Sequence, residues 1–188
     1  MKRKLFAVFM ALASTTAFAA EDNAGKIHFT GEIIEPSCVI VGDDGTDYSV
    51  PLGTFPTSLF ATVGQESDLV PVTVTLKDCP IASDGLPQIQ LSFNGPTTLT
   101  GSATLLDVSK VTTTGTTAAT GIGIVLTEDV PDSVPIKFDG SDGQVFVKLS
   151  TKAADTISTT LNARYKSFAE TVTAGPADAD LTVNILYR

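Results

Sequence analysis

Short segments in which apolar and polar residues alternate make up much of the chain. Five segments follow this period of two, namely 72–77, 89–93, 145–149, 157–166 and 181–187. Alternation with many Val, Ile and Thr residues is typical of strands that bury one face. Turn-forming groups separate the segments, and no stretch keeps a helical period for more than two turns. The pattern predicts an all-β domain, an antiparallel β-sandwich.

The N-terminus has the three parts of a secretory signal peptide. Residues 2–4 are basic, residues 5–13 are apolar, and Ala17-Phe18-Ala19 has the small-x-small pattern of a cleavage site. We therefore assign residues 1–19 to a signal peptide, with cleavage after Ala19 or, alternatively, after Ala20. A bilayer span needs about 20 apolar residues, and no later segment approaches that length, so no membrane span is predicted.

Residues 20–32, between the signal peptide and the first cysteine, alternate on their own. One face carries Gly25, Ile27, Phe29 and Gly31, and Ile33 just beyond the segment continues it, while the opposite face carries Lys26, His28, Thr30 and Glu32. This segment, called the arm below, has two interpretations. It is either the first strand of its own domain or a strand that pairs with another molecule.

The other end of the chain favours the second interpretation. The last alternating segment carries Leu181, Val183, Ile185 and Tyr187 on one face and runs to Arg188, where the sequence stops. If no further strand follows, this strand is an exposed edge, and the core beside it is an open apolar groove. An arm on one molecule and a groove on the next suggest strand addition between subunits. Such a contact is head-to-tail and builds a fibre.

Charge narrows the set of partners. The formal net charge is −9, and removal of the basic residues 2–4 makes it −12. Nucleic-acid binding needs basic patches, so it is not expected for this chain. The same negative charge argues against docking on anionic lipid.

The residues that could perform chemistry are few. Cys38 and Cys79 are the two cysteines, and a pair that is exported to an oxidising compartment indicates a disulfide. Two free thiols or a metal site are the alternatives, but His28 is the single histidine that could complete such a site. A serine triad would have to use the same histidine as its base, on the arm. We therefore predict no catalytic residues, no metal and no cofactor.

Several motifs in order along the chain resemble one protein family. They are GKIHFTGEIIEPSC, VPLGTF, VTVTLKDC, TGIGIVL, LNARYKS and AGPADADLTVNILYR, which has a penultimate tyrosine. Together they resemble the type 1-like pilins, the fimbrial subunits of the chaperone–usher pathway in Gram-negative bacteria. The resemblance covers essentially all of the chain after the signal peptide.

The resemblance implies an incomplete immunoglobulin-like β-sandwich with six strands, which lacks the last strand and carries an N-terminal donor-strand extension. The extension would be residues 20–32 and the pilin domain residues 33–188. A disulfide would join Cys38 to Cys79. The implied donor residues are Gly25, Ile27, Phe29 and Gly31, and the implied chaperone-binding, groove-edge residues are Leu181, Val183, Ile185 and Tyr187.

The resemblance also implies a function and a set of partners. The chain would be a structural subunit of a fimbria that supports cell adhesion, exported through the periplasm to the cell surface. Its partners would be a periplasmic pilus chaperone, an outer-membrane usher and other pilin subunits. The alternative is a minor tip or adaptor subunit, or an adhesin with its own receptor-binding site. A tip adhesin usually carries an additional lectin domain, for which this chain is too short.

Overall fold

The computed structural model describes residues 26–35, 37–43, 45–109 and 117–188. The chain divides into two compact units, residues 1–31 and residues 32–188, and each is described by itself. The predicted signal peptide and Gly25 of the arm lie outside the described residues.

The second unit is an all-β domain, as predicted. Its strands are β1 Val39–Ile40, β2 Val70–Lys77, β3 Gln88–Asn94, β4 Leu106–Asp107, β5 Ile122–Glu128, β6 Val145–Lys148, β7 Ile157–Ser167 and β8 Thr182–Tyr187. They form two antiparallel sheets with the orders β1-β2-β7-β5-β4 and β6-β3-β8. Strands β1 and β4 have two residues each, and the remaining six agree with the predicted number.

One hydrophobic core lies between the two sheets. In β2 the side chains of Val72, Val74 and Leu76 are buried, as the alternation predicts. Strand β3 contributes Ile89, Leu91 and Phe93 from the facing sheet, and all of these belong to the same cluster. Sheets that pack face to face in this way share one core and leave their outer faces on opposite sides of the sandwich.

The helical content of the described residues is small. A four-residue 3-10 helix spans Thr57–Phe60 and buries Phe60. In the part of the chain that the structure describes, no helix has the length and apolar character that crossing a membrane requires.

The predicted disulfide between Cys38 and Cys79 is present. It joins the residue before β1 to a residue just beyond β2, so it fastens the first strand of the domain to its neighbour. In the chain-entropy account, closing a loop of 41 residues stabilises the fold by about 4 kcal/mol.

Candidate functional site

The hydrophobic core is incompletely covered at strand β8. The inward side chains of Val183, Ile185 and Tyr187 are only partly buried. Their partners across the ladder are Phe93, Leu91 and Ile89 of β3, which are 1%, 0% and 0% exposed. Burial is therefore complete on β3 and incomplete one strand farther along the same sheet.

A second edge lies next to β8 at one end. The amide nitrogen of Cys38 donates a hydrogen bond of 2.9 Å to the hydroxyl of Tyr187, which places the start of the first sheet beside the end of β8. Ile34, Cys38 and Ile40 also pack on the core while remaining partly exposed. We use the term groove for the incompletely covered strip formed by Ile34, Cys38, Ile40, Val183, Ile185 and Tyr187.

The backbone beside the groove is also available for pairing. Within the described residues, β8 pairs with β3 on one side and with no strand on the other, and β1 likewise pairs only with β2. A free strand edge presents unpaired N–H and C=O groups to an incoming strand. The groove therefore offers apolar side-chain contacts and a backbone edge together.

The arm, described by itself, exposes the apolar side chains that the sequence pattern places on one face. Ile27 is 82% exposed and Phe29 is 93% exposed, and residues 26–31 form no strand. At Gly31 an added Cβ atom would meet nothing within 4 Å. The arm therefore presents two large apolar side chains to solvent at a spacing of two residues.

The sequence pattern also places Ile33 on this face. Its side chain is 99% exposed, whereas the next residue, Ile34, packs against the core. Ile33 continues the alternation of Ile27 and Phe29, so the signal was present in the sequence. It was left out of the predicted donor residues because the predicted extension ended at residue 32.

The structure does not bring His28, Cys38 and Cys79, the residues considered for a metal or catalytic site, together into one site. His28 lies exposed on the arm, and both cysteines are in the disulfide. Among the described residues, no group of three or more His, Cys, Asp or Glu side chains is arranged to hold a metal ion.

The pKa values of Glu66 and Tyr165 are shifted from their ordinary values. Burial opposes ionisation of Glu66, but hydrogen bonds and charge from Lys166 and Arg164 outweigh it and lower its pKa. Burial, and then the charge of Asp178, raises the pKa of Tyr165, whose hydroxyl donates to the Ala177 carbonyl at 3.0 Å. The Glu66 contact joins residues 98 positions apart and the Tyr165 contact joins residues 12 positions apart, and neither lies in the groove.

The class of protein follows from comparison with known families. The profile of the family described as "Fimbrial protein" matches residues 27–188, and this chain belongs to that family. The predicted function, a structural subunit of a fimbria, and the predicted cell-surface localisation are thereby confirmed.

Individual relatives agree with this assignment. The chain is 39% identical to a type-1 fimbrial protein subunit of Serratia marcescens, over 100% of both chains. It is 35% identical to long polar fimbria protein A of Salmonella typhimurium, over 100% of this chain and 98% of that protein. Because these relatives are fimbrial subunits over their whole length, a tip adhesin is not favoured.

The fold also has a solved counterpart. The crystal structure of the P pilus rod subunit PapA matches with a TM-score of 0.61 at 24% identity. The match covers 81% of this chain and 99% of that one. The predicted fold, the incomplete immunoglobulin-like sandwich of pilins, is confirmed.

Proposed function

We propose that this fimbrial subunit polymerises by donor-strand exchange, in which the arm of one copy fills the groove of the next. The donor residues are Gly25, Ile27, Phe29 and Gly31, and the groove-edge residues are Leu181, Val183, Ile185 and Tyr187. The corresponding division of the chain is a signal peptide 1–19, a donor extension 20–32 and a pilin domain 33–188.

The contrast in burial across the β3–β8 ladder carries the proposal. Leu91 is completely buried, while Ile185, its direct partner in the register, remains partly exposed. A strand added beside β8 would cover Ile185 and would pair with the free backbone edge in one step. Ile27 and Phe29 have the same period of two as Val183 and Ile185, so both sets can face one interior.

The energy of this contact comes from side chains that are now in water. Burying Ile27 and Phe29 would contribute about 1.5–3 kcal/mol each. Backbone hydrogen bonds to β8 would add to this contribution because they satisfy groups that water alone now solvates. No reactive group is required at any stage, so we also infer that the subunit catalyses nothing and takes no cofactor.

An open groove explains the need for assembly partners. An exposed apolar edge strand promotes aggregation before the subunit reaches its neighbour. A periplasmic chaperone would cover the groove with a strand of its own, and an outer-membrane usher would exchange that strand for the arm of the next subunit. The completed polymer would then extend from the cell surface and support adhesion.

Deletion of the arm tests the proposal. The intact subunit and a variant without residues 20–31 of the precursor numbering are each expressed in a periplasm, once with the chaperone and once without it. Each is mixed with a subunit–chaperone complex and run on a gel without boiling. The intact protein should enter SDS-resistant ladders, and the truncated protein should accept an arm but never donate one. Stable monomers of both forms without a chaperone would refute the proposal.

A further inference from the structure

A cleft of about 590 Å³ lies on the outer face of the larger sheet, away from the groove. Asn162 and Arg164 of β7 line it, and they alternate with the core residues Leu161 and Ala163. Their side chains are therefore directed to the outside of the sandwich. The remaining residues used here are Glu66, Leu69, Glu128, Asp129 and Val130, which line the same cleft.

The rim of the cleft is apolar and its charge is negative. Leu69 and Val130 are each more than half exposed. Glu66 is paired with two cations, Arg164 and Lys166, with a distance of 3.0 Å from Lys166 Nζ to Glu66 Oε1. Asp129 accepts a hydrogen bond from the Asn162 amide. Within the described ranges neither Glu128 nor Asp129 forms an ion pair, so both keep an uncompensated charge.

The outer face of the smaller sheet has the complementary character. On β6, Phe146 and Lys148 are exposed and alternate with the buried residues Val145 and Val147. Lys148 forms no ion pair in the part of the chain that is described. This face, which we call the β6 face and define by Phe146 and Lys148, therefore presents an aromatic ring beside an uncompensated positive charge.

We propose that the cleft of one subunit binds the β6 face of a second copy of this chain. Phe146 packs against Leu69 and Val130, and Lys148 pairs with Glu128 or Asp129. The two surfaces belong to opposite faces of one sandwich, so the contact is heterologous and can repeat from copy to copy. It rests on the proposed function because it joins subunits that the arm has already linked into a polymer.

The occupant is a second copy because the chain carries both halves of the complementary pair. Both surfaces combine exposed apolar side chains with uncompensated charge, and the two charges have opposite signs. Linking subunits into a polymer also raises their effective concentration for one another, so even a weak contact between them would form. A host-derived partner would use one of these surfaces and leave the other without a role.

Zero-length cross-linking in assembled polymers tests the contact with native residues. A carbodiimide joins a lysine amine to a carboxylate only when the two already touch. In polymers grown from a mixture of isotopically labelled and unlabelled subunits, we expect mixed-label peptides that join Lys148 to Glu128 or Asp129. The Lys166–Glu66 pair is the internal control, because it lies within one subunit and should give unmixed peptides. Control peptides without the Lys148 peptide would overturn the proposal.

Charge reversal gives an independent test. Lys148→Glu puts a negative charge opposite Glu128 and Asp129 and should loosen the packing of subunits along the polymers in electron micrographs. Combining Lys148→Glu with Glu128→Lys should restore packing. The ratio of packed to loosened polymer should rise roughly fivefold over Lys148→Glu alone, because an exposed ion pair contributes up to about 1 kcal/mol. Lys152→Glu, at an exposed lysine outside the β6 face, is the matched control and should change nothing.

The outcomes separate the two proposals. SDS-resistant ladders report donor-strand exchange, and they should persist in every charge variant. If ladders form but neither Glu128→Lys nor Asp129→Lys restores packing in the Lys148→Glu background, the cleft proposal is wrong and donor-strand exchange stands. If ladders fail in the unmodified protein, donor-strand exchange itself is wrong. Cross-links from the cleft to host protein only, with none to a second copy, would also contradict the proposed occupant.

Discussion

The amide of Cys38 donates a hydrogen bond of 2.9 Å to the hydroxyl of Tyr187, although 149 positions separate the two residues. The bond joins the disulfide-bonded start of the first sheet to the end of the edge strand β8. Tyr187 also faces Ile89 across the β3–β8 ladder. One side chain therefore holds the two edges of the groove together at this end.

Tyr187→Phe removes the hydroxyl and should weaken the closed end of the groove. A partly buried hydrogen bond of this kind contributes about 1 kcal/mol. The midpoint for guanidinium-induced dissociation of SDS-resistant polymers should therefore fall. Tyr48→Phe is the matched control, because Tyr48 is exposed. Equal midpoints for the two variants would show that the Cys38–Tyr187 bond contributes nothing.

The effect of a charged substitution in the arm on strand donation should depend on which face of the arm carries it. Asp at position 27 or 29, as Ile27→Asp or Phe29→Asp, would place a carboxylate in the apolar groove at a cost of a few kcal/mol. Donation to a labelled acceptor subunit should then slow or weaken by at least about tenfold. His28→Asp and Thr30→Asp lie on the opposite face and should still donate. If all four variants donate equally, the assumed orientation of the arm is wrong.

Lowering the pH should remove the contribution of the Glu66 ion pairs to the stability of the fold. Its pKa is lowered in the folded protein from an ordinary value of 4.5, because Lys166 and Arg164 stabilise the carboxylate. A depressed pKa in the fold means that the stabilisation is present above pH 4.5 and is lost as the pH falls through the folded pKa. Since this pair lies near the surface, the effect is about 1 kcal/mol or less.

The test of Glu66 is the difference in thermal midpoint between the unmodified subunit and Glu66→Gln, measured across pH. The difference should be largest near neutral pH and should shrink below pH 4.5. Glu170→Gln, at an exposed glutamate that forms no ion pair among the described residues, is the control substitution. A difference that stays constant down to pH 2 would mean that the ion pairs of Glu66 are not its source.

Ala154→Gly should stabilise the domain. Ala154 has a φ of 61°, in the left-handed region that a Cβ atom disfavours. Glycine relieves this strain but loses more entropy on folding, so the net gain should be about 0.5–1 kcal/mol. Ala153→Gly is the control, since Ala153 lacks a positive φ, and it should not raise the free energy of unfolding. A loss of stability in Ala154→Gly would contradict the prediction.

Strands with one buried face could be predicted because burial alternates along them. Segment 72–77 became β2, and segment 157–166 became β7, each within two residues at its ends. Strand β5 was not among the alternating segments because its residues are buried on both faces, with only Glu128 partly exposed. The two-residue strands β1 and β4 were too short to show any period.

The sequence by itself determined the all-β class, the disulfide pair and the apolar face of the arm, because each depends on residue type and local period. The tertiary structure alone decided that Ile185 stays partly exposed beside the buried Leu91, and that Cys38 meets Tyr187. It also brought Glu66 and Arg164 together across 98 positions. Such relationships depend on strand order and register, which arise from packing the whole chain around one core, and no local pattern encodes them.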